Sequence, residues 1–580
     1  MTPSILKSAK VDALGDIVGF LPGLSGPLIR IKVSLEFHGQ VLKANRRLSA
    51  SRRLAEIVFT TAAALLKQAQ MDMPGMGRIN SVGAAHFELV FVSLIPEHRA
   101  VVETVRLVLK QHLAGQSLAD TVWRQNAVNA ITARVGNASN PRNFLFAARD
   151  LDLPVYNTHS GLLIIGQGAK ARWLSSAFTD QTPTIATSLA RDKLACSALL
   201  RVAGLPVPDG RLVTSEEDAV AAAQGFGLPV VVKPANLDGG VGVSCGLESF
   251  EEVIIAYRKA RVHSKLVLLE RHIAGNDYRI TTYRGEVVSA IERVPGGLTG
   301  DGRSTVQALL ERFNSEPGRG TQATAKLSTL VWDDEAEMML GRAGLTLQSI
   351  PADGQFVRLR RAANFALGGT VRGARDRIHP DNRALAQTIS QLLRLDVAGI
   401  DLITPDISRS WLEMGGAVCE VNASPYLGQR VPLDLFSLIL QDMFADGGRI
   451  PVIAVWGRES LPGLADMISR LAAQAQHRIG IADSAGIMVN GTVRSQIPSS
   501  PLQRGRALVL APDVDAILWF AGNDTQVDVV PFDRIDLLLC FSSPPDPLAN
   551  LAKQQVAMQD ETTASLTSRV TAIFSTSGKP

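Results

Sequence analysis

Several functional classes are excluded by what this 580-residue chain lacks. Its four cysteines, Cys196, Cys245, Cys419 and Cys540, are scattered without a C-x-x-C pair. Neither a thiolate zinc site nor a disulfide framework follows from them. The nine histidines form no H-x-x-x-H pair. No run of about 18 uninterrupted apolar residues exists, so no membrane span is expected. Lys7, Lys10, Asp12 and Asp16 stand where a signal peptide needs an apolar core. A net charge of +4 gives no footprint for nucleic acid. Internal repeats and low-complexity tracts are absent. The expectation is a cytoplasmic chain of roughly three or four domains. Its 46% hydrophobic and 20% charged residues are those of an ordinary globular protein.

One stretch stands out, Val230-Val231-Val232-Lys233-Pro234 followed by Ala235 to Ser244. Three β-branched residues in a row predict a buried strand. It ends on a lysine, which rarely goes under without a partner for its charge. Gly239, Gly240 and Gly242 follow, and Ser244 closes the loop. Glycines let backbone N–H groups approach an anion, and a lysine adds a point charge. The lysine precedes the glycines, so this is not the P-loop pattern. A Gly-rich turn beside a solvated lysine is the plain alternative.

Taken in order, Leu28 to Phe37 and His86 to Leu94 predict strands. Leu48 to Gln68 and Pro96 to Leu113 predict helices, the second ended by Gly115. No chemistry is evident in this α+β region. Asp192-Lys193 opens a helix to Ala203, and a lysine in a first turn opposes the dipole unless an anion is near. Ser215-Glu216-Glu217-Asp218 opens another. The strand from Leu266 ends at Glu270, and His272 and Ile273 lead through a short linker to Asp277. Glu270 and that linker suit an adenine edge, and Asp277 suits ribose hydroxyls; a surface hinge is the plain alternative. Arg279 and Arg293 are candidates for an anionic substrate. Asp401 lies on a buried strand from Val397, and Glu413 to Pro425 is read as another. Glu420 and Asn422 are two apart, so on a strand they share a side. Hard oxygens of this kind suit Mg2+.

The order Lys193, Lys233 with its glycines, Glu270, Asp277, Asp401, Glu420 and Asn422 resembles the ATP-grasp ligases. It is closer still to cyanophycin synthetases, through the phrases DKLACSALLRVAGLPVP, VVVKP, GDGRSTVQALL, LRRAANFALGGT, AGIDLITPDIS and GAVCEVNASP. The resemblance implies an α/β chain with four parts. They are an N-terminal α+β domain (1–157), an ATP-grasp core (158–448), a truncated Mur-ligase-like domain (449–547) and a tail (548–580). It implies that Lys193, Lys233, Gly239, Gly240, Ser244, Glu270, His272, Ile273 and Asp277 bind ATP. Asp401, Glu420 and Asn422 would hold two Mg2+ ions. Arg293, Arg360, Arg361 and Asn364 would serve catalysis, the arginines by stabilising an acyl phosphate and tetrahedral oxygens. Where the family often has His and Arg in the glycine loop, this chain has Gly239 and Val241.

Full-length members of that family continue into a Mur-ligase-like domain with a G-T-N-G-K-T loop. After Arg449 to Trp456 this chain reads Gly457-Arg458-Glu459-Ser460-Leu461-Pro462-Gly463, with no lysine. This matches the short second class of the family, which polymerises β-aspartyl-arginine dipeptides. The implied partners are a cyanophycin-like peptide primer, a dipeptide and further copies of the chain, as a dimer or tetramer. Two alternatives stay open: an ATP-grasp ligase for another amino acid or β-linked dipeptide, and a non-catalytic scaffold.

Overall fold

The computed structural model describes residues 6–17, 28–37, 44–69, 71, 77–93, 97–135, 140–157, 162–237, 241–317, 319–320, 328–361, 363, 367–428, 434–496, 499–523, 529–559 and 561–576. The expected mixed α/β class is what it shows. The chain divides into two compact units, Met1–Ser176 with Phe436–Pro580, and Ala177–Leu435. By this division the first and last segments of the chain share one unit.

In the first unit an antiparallel sheet runs in the order Leu6–Ile17, Leu28–Phe37, His86–Val92, Gly77–Val82. Alternation in the second strand buries Ile29, Ile31, Val33 and Leu35. Helix Ala44–Gln68 covers them with Leu54, Val58, Ala62 and Leu65, at spacings of three and four. Helix His98–Leu113 adds Val101, Val105, Val108 and Leu109.

The same unit holds a seven-stranded sheet, ordered Thr492–Ser495, Gly486–Val489, Ile479–Asp483, Ala516–Gly522, Val452–Trp456, Leu537–Cys540, Gln555–Ala557. The last five strands are parallel. Apolar clusters cover both faces, so Val452–Trp456 is buried throughout. The expected tail is a correction. Gln555–Ala557 is an edge strand, and helix Thr563–Thr576 buries Leu566, Val570, Ile573 and Phe574. Threonines and serines on its outer face gave the segment its tail-like composition.

The second unit carries two antiparallel sheets. The smaller runs Ser244–Leu247, Val230–Pro234, Val267–Arg271, Gly210–Val213. Helices Glu216–Phe226 and Phe250–His263 cover the face that carries Val213, Val230, Val232, Val267 and Leu269. Ser215 and Ser249 cap those helices through their hydroxyls. The larger runs Thr370–Gly373, Glu286–Val294, Asn276–Tyr283, Val397–Thr404, Ala417–Asn422. Its apolar face, with Tyr278, Ile280, Ile400, Leu402, Val418 and Val421, packs on helices Lys193–Val202 and Pro380–Leu392. The expected strand from Glu413 begins only at Ala417, because Trp411–Met414 is a helical turn capped by Ser410. Between the sheets' strands in sequence lies an insert. Its hairpin, Gly297–Thr299 with Phe356–Arg358, packs with helices Val306–Asn314 and Asp334–Arg342 around their own small core.

Candidate functional site

Each sheet of the second unit packs an apolar face on helices and carries polar side chains on the other. Period-two alternation therefore sorts the side chains: apolar residues face the helices and polar ones face the other way. On the smaller sheet Val231 pairs with Glu270 and Lys233 with Leu268. That places Lys233 and Glu270 on the face away from the helices. Lys233 Nζ lies 2.6 Å from Glu270 Oε2, with the lysine only 8% exposed. Burial works against the ammonium charge, but Glu270 and, further off, Glu420 outweigh it and raise its pKa above the ordinary lysine value.

On the larger sheet, register places Asp277 opposite Arg293, Arg279 opposite Asp401, and Asp401 opposite Glu420. A bulge beside Cys419 turns Glu420 and Asn422 to this side while Val418 and Val421 stay in the core. Arg293 bridges Asp277 at 2.6 Å and Asp401 at 2.9 Å. Arg279 also grips Asp401, its Nη2 donating to Oδ2 at 3.1 Å. Burial pushes the Asp401 carboxyl up, but Arg279 and Arg293 overcome it and hold the group below the usual range. Asp277 shows the opposite balance: burial raises it more than Arg293 lowers it. A Cβ at Gly399 would meet Pro425 Cβ at 2.8 Å and Arg279 Nη1 at 3.0 Å.

Lys193 is the first residue of its helix. Asp192 caps that helix, its Oδ1 accepting from the Leu194 and Ala195 N–H groups at 3.1 and 3.0 Å. The Lys193 ammonium reaches Glu420 Oε1 at 2.6 Å. Asn422 is half-buried and its Nδ2 has no hydrogen-bond partner among the described residues. The donors Asp401, Glu420 and Asn422 are hard oxygens on two adjacent strands, which fits Mg2+. Each carboxylate is held by a cation instead, and among the described residues no three acidic, His or Cys side chains are gathered for a metal.

Other expected residues fall differently. Ser244 opens the strand beside Val232 and is half-buried. His272 and Ile273 follow strand Val267–Arg271, with the His272 N–H donating to the Pro229 carbonyl at 3.1 Å. Burial and the Arg358 charge lower the His272 pKa. Arg360 is 1% exposed, paired with Asp333 at 2.5 Å and bonded to the Val331 carbonyl at 2.5 Å inside the insert. Arg361 is likewise engaged. It pairs with Glu252 at 2.5 Å and donates to the Cys245 and Gly246 carbonyls at 3.1 and 3.3 Å. Gly239, Gly240 and Asn364 lie outside the described residues. Two neighbours of the site are not among the expected site residues, Arg358 and the Cys245 thiol. Burial raises the thiol's pKa, against the pull of Lys233 and Arg358.

Residues 199–297 match a family model described as the D-ala D-ala ligase C-terminus. The chain is 32% identical to a cyanophycin synthetase of Nostoc sp. over 363 residues, 61% of this chain and 40% of that protein. It is 31% identical over 260 residues to a glutathione biosynthesis bifunctional protein of Mannheimia succiniciproducens, 43% of this chain and 34% of that one. A bifunctional glutathione synthetase structure from Pasteurella multocida is similar at 24% identity and a TM-score of 0.41, covering 60% of this chain and 52% of its own. The chain thus spans about 40% of the length of the curated relatives it matches first. No helix among the described residues is long and apolar enough to cross a membrane.

Proposed function

We propose that the second unit is an ATP-grasp carboxylate–amine ligase that extends a peptide, and that its substrate is the β-aspartyl-arginine dipeptide. The observation that carries the reading is the single polar face on the larger sheet. It gathers Asp277, Arg279, Arg293, Asp401, Glu420 and Asn422 by strand register, with Lys193 reaching it from a capped helix. The likeness to cyanophycin synthetases supports the substrate.

In this reading Lys193 and Lys233 draw the triphosphate, Glu270 with the His272–Ile273 linker receives adenine, and Asp277 receives ribose. Asp401, Glu420 and Asn422 would hold two Mg2+ ions, which when bound neutralise phosphate charge. The γ-phosphoryl group passes to the terminal carboxylate of the growing chain, releasing ADP. The α-amine of the incoming dipeptide then attacks the acyl carbon, the amide forms and phosphate leaves. The protein's task is positioning and charge stabilisation. Arg279 and Arg293 are the guanidinium groups on that face, and we assign them to the acyl phosphate and the tetrahedral oxygens. Arg360 is dropped from that role.

We further propose that free arginine is not a substrate. Joining it to an aspartate β-carboxylate needs its own activation, and the loop at 457–463 has no lysine for a triphosphate. On this view the first unit's parallel sheet is a degenerate Mur-ligase-like domain that serves packing or self-association. Work in the cytoplasm is proposed with it. A second reading, a ligase for another amino acid, is favoured by the likeness to glutathione-forming proteins.

The test supplies ATP, Mg2+ and a cyanophycin primer with either labelled β-aspartyl-arginine or aspartate plus labelled arginine. Label entering polymer from the dipeptide alone supports the proposal. Entry of free arginine overturns the assignment of the first unit. ATP turnover with neither, but with another amine, favours the second reading.

A further inference from the structure

The insert's second strand, Phe356–Arg358, ends in the run Arg358-Leu359-Arg360-Arg361. Three guanidinium groups in four residues look interchangeable in sequence. The structure separates them. Arg360 is consumed by Asp333 inside the insert, and Arg361 by Glu252. Arg358 has no carboxylate at ion-pair distance among the described residues.

Its group is nonetheless fixed. Nε donates to the Arg360 carbonyl at 2.8 Å and Nη2 to the Arg361 carbonyl, so one edge of the fork is occupied and Nη1 is left over. The residue stays solvent-exposed. Arg361, whose carbonyl takes Nη2, itself donates from Nη1 to the Cys245 and Gly246 carbonyls at 3.1 and 3.3 Å, on the strand paired with Val230–Pro234. The Arg358 charge acts on the Cys245 thiol and on His272 and lies in the field of Asp277. These neighbours come from the strand after the glycine loop, from the linker and from the ribose candidate, all on the nucleotide side. A guanidinium held by neutral carbonyls alone keeps its full charge for an anion, and its fork loses little freedom when it binds one.

We infer that Arg358 is a contact for the terminal phosphate of the bound nucleotide, supplied by the insert. The assignment rests on the ligase reading above. It makes the insert part of the nucleotide site, so that the oxyanion is held from two separate segments of the unit.

The test compares binding of ADP and ATPγS to the full chain and to its Arg358→Gln and Arg358→Lys variants, each checked for an unchanged thermal melt. Arg358→Gln should weaken ATPγS at least tenfold and ADP less than threefold. Arg358→Lys should recover part of the loss, since it restores charge without the fork. Equal weakening of both nucleotides, or none, overturns the assignment. So does a rise confined to the KM of the peptide carboxylate, which would place Arg358 at the acceptor. A wild-type chain that binds neither nucleotide overturns the ligase reading itself, and this inference with it. Wild-type binding with no change in the variants overturns this inference alone.

Discussion

The molecule contains two apolar strands that run into a glycine-bearing loop, Val230–Pro234 and Val452–Trp456. The first lies in an antiparallel sheet with helices packed on one face. Its other face is open to polar side chains, and Lys233 and Glu270 use it. The second lies among parallel strands covered on both sides, so all five of its residues are apolar and buried. Its chemistry would have to come from the loop, and that loop is tied down. Gly457 N–H donates to the Gly522 carbonyl at 3.0 Å, Ser460 Oγ to Asp483 at 2.9 Å, and the Glu459 carbonyl accepts from Ser484 at 2.9 Å. A strand followed by glycine is therefore not a phosphate site in itself. What matters is whether a charged side chain has a face to occupy and whether the loop's own groups are left for a ligand.

The largest expected contrast comes from Lys233→Ala. Removing the lysine takes away a phosphate contact and leaves Glu270 buried alone. Ligation should fall by about a hundredfold or more, and stability by roughly 3–5 kcal/mol, read from turnover and from denaturant melts. Lys233→Met with Glu270→Leu should recover the stability but not the turnover. Because the folded-state lysine pKa is raised, the pair stabilises fully below the ordinary value of 10.5 and the gain is lost as pH rises above it. Melts of wild type and the Met/Leu double variant should therefore agree near neutral pH and diverge on the alkaline side of that value, where only wild type loses stability.

Glu420→Gln comes next. It removes a proposed metal oxygen and the partner of Lys193, so the Mg2+ concentration for half-maximal activity should rise about tenfold, one lost charge-assisted contact. An unchanged metal dependence would remove Glu420 from the metal set.

A smaller effect is expected at Glu252, which ties the smaller sheet to the insert through Arg342 at 2.9 Å and Arg361 at 2.5 Å. Glu252→Gln should raise the KM for ATP about threefold while kcat changes less, the scale of a partly exposed ion pair. The smallest comes from the other loop: Arg458→Ala and Glu459→Ala should leave ligation within about twofold, since surface changes away from a site have little effect. A larger loss would mean that the loop at 457–463 takes part after all.

Much of the site was legible because its residues sit on strands, where a spacing of two fixes a shared face. Glu420 with Asn422 is the plainest case, and it survives a bulge at Cys419 that the sequence does not announce. Asp277 and Arg293 are sixteen positions apart, and only hairpin register makes them partners. The arginines at 358, 360 and 361 were not separable by type. Burial of Arg360 depends on Asp333, which arrives from a helix of the insert. The last helix was missed for a similar reason: Leu566, Val570 and Phe574 have helical spacing, but threonine and serine between them read as tail. The strand Leu6–Ile17 stands outside the expected elements: Ala9, Val11 and Ala13 alternate with Ser8, Lys10 and Asp12, but alanine, glycine and charged residues outnumber the β-formers.

The ion pair between Lys193 and Glu420 has a thermodynamic consequence. Each member is the proposed ligand of a different guest, the lysine of phosphate and the glutamate of metal, and each guest must first break the same 2.6 Å contact. Whichever arrives first releases a ready partner for the other. Linkage then requires reciprocity: metal tightens nucleotide binding by the same factor as nucleotide tightens metal binding. Neither guest alone gains the full attraction of its site, so a stray phosphate or a lone cation meets a face that is already neutralised.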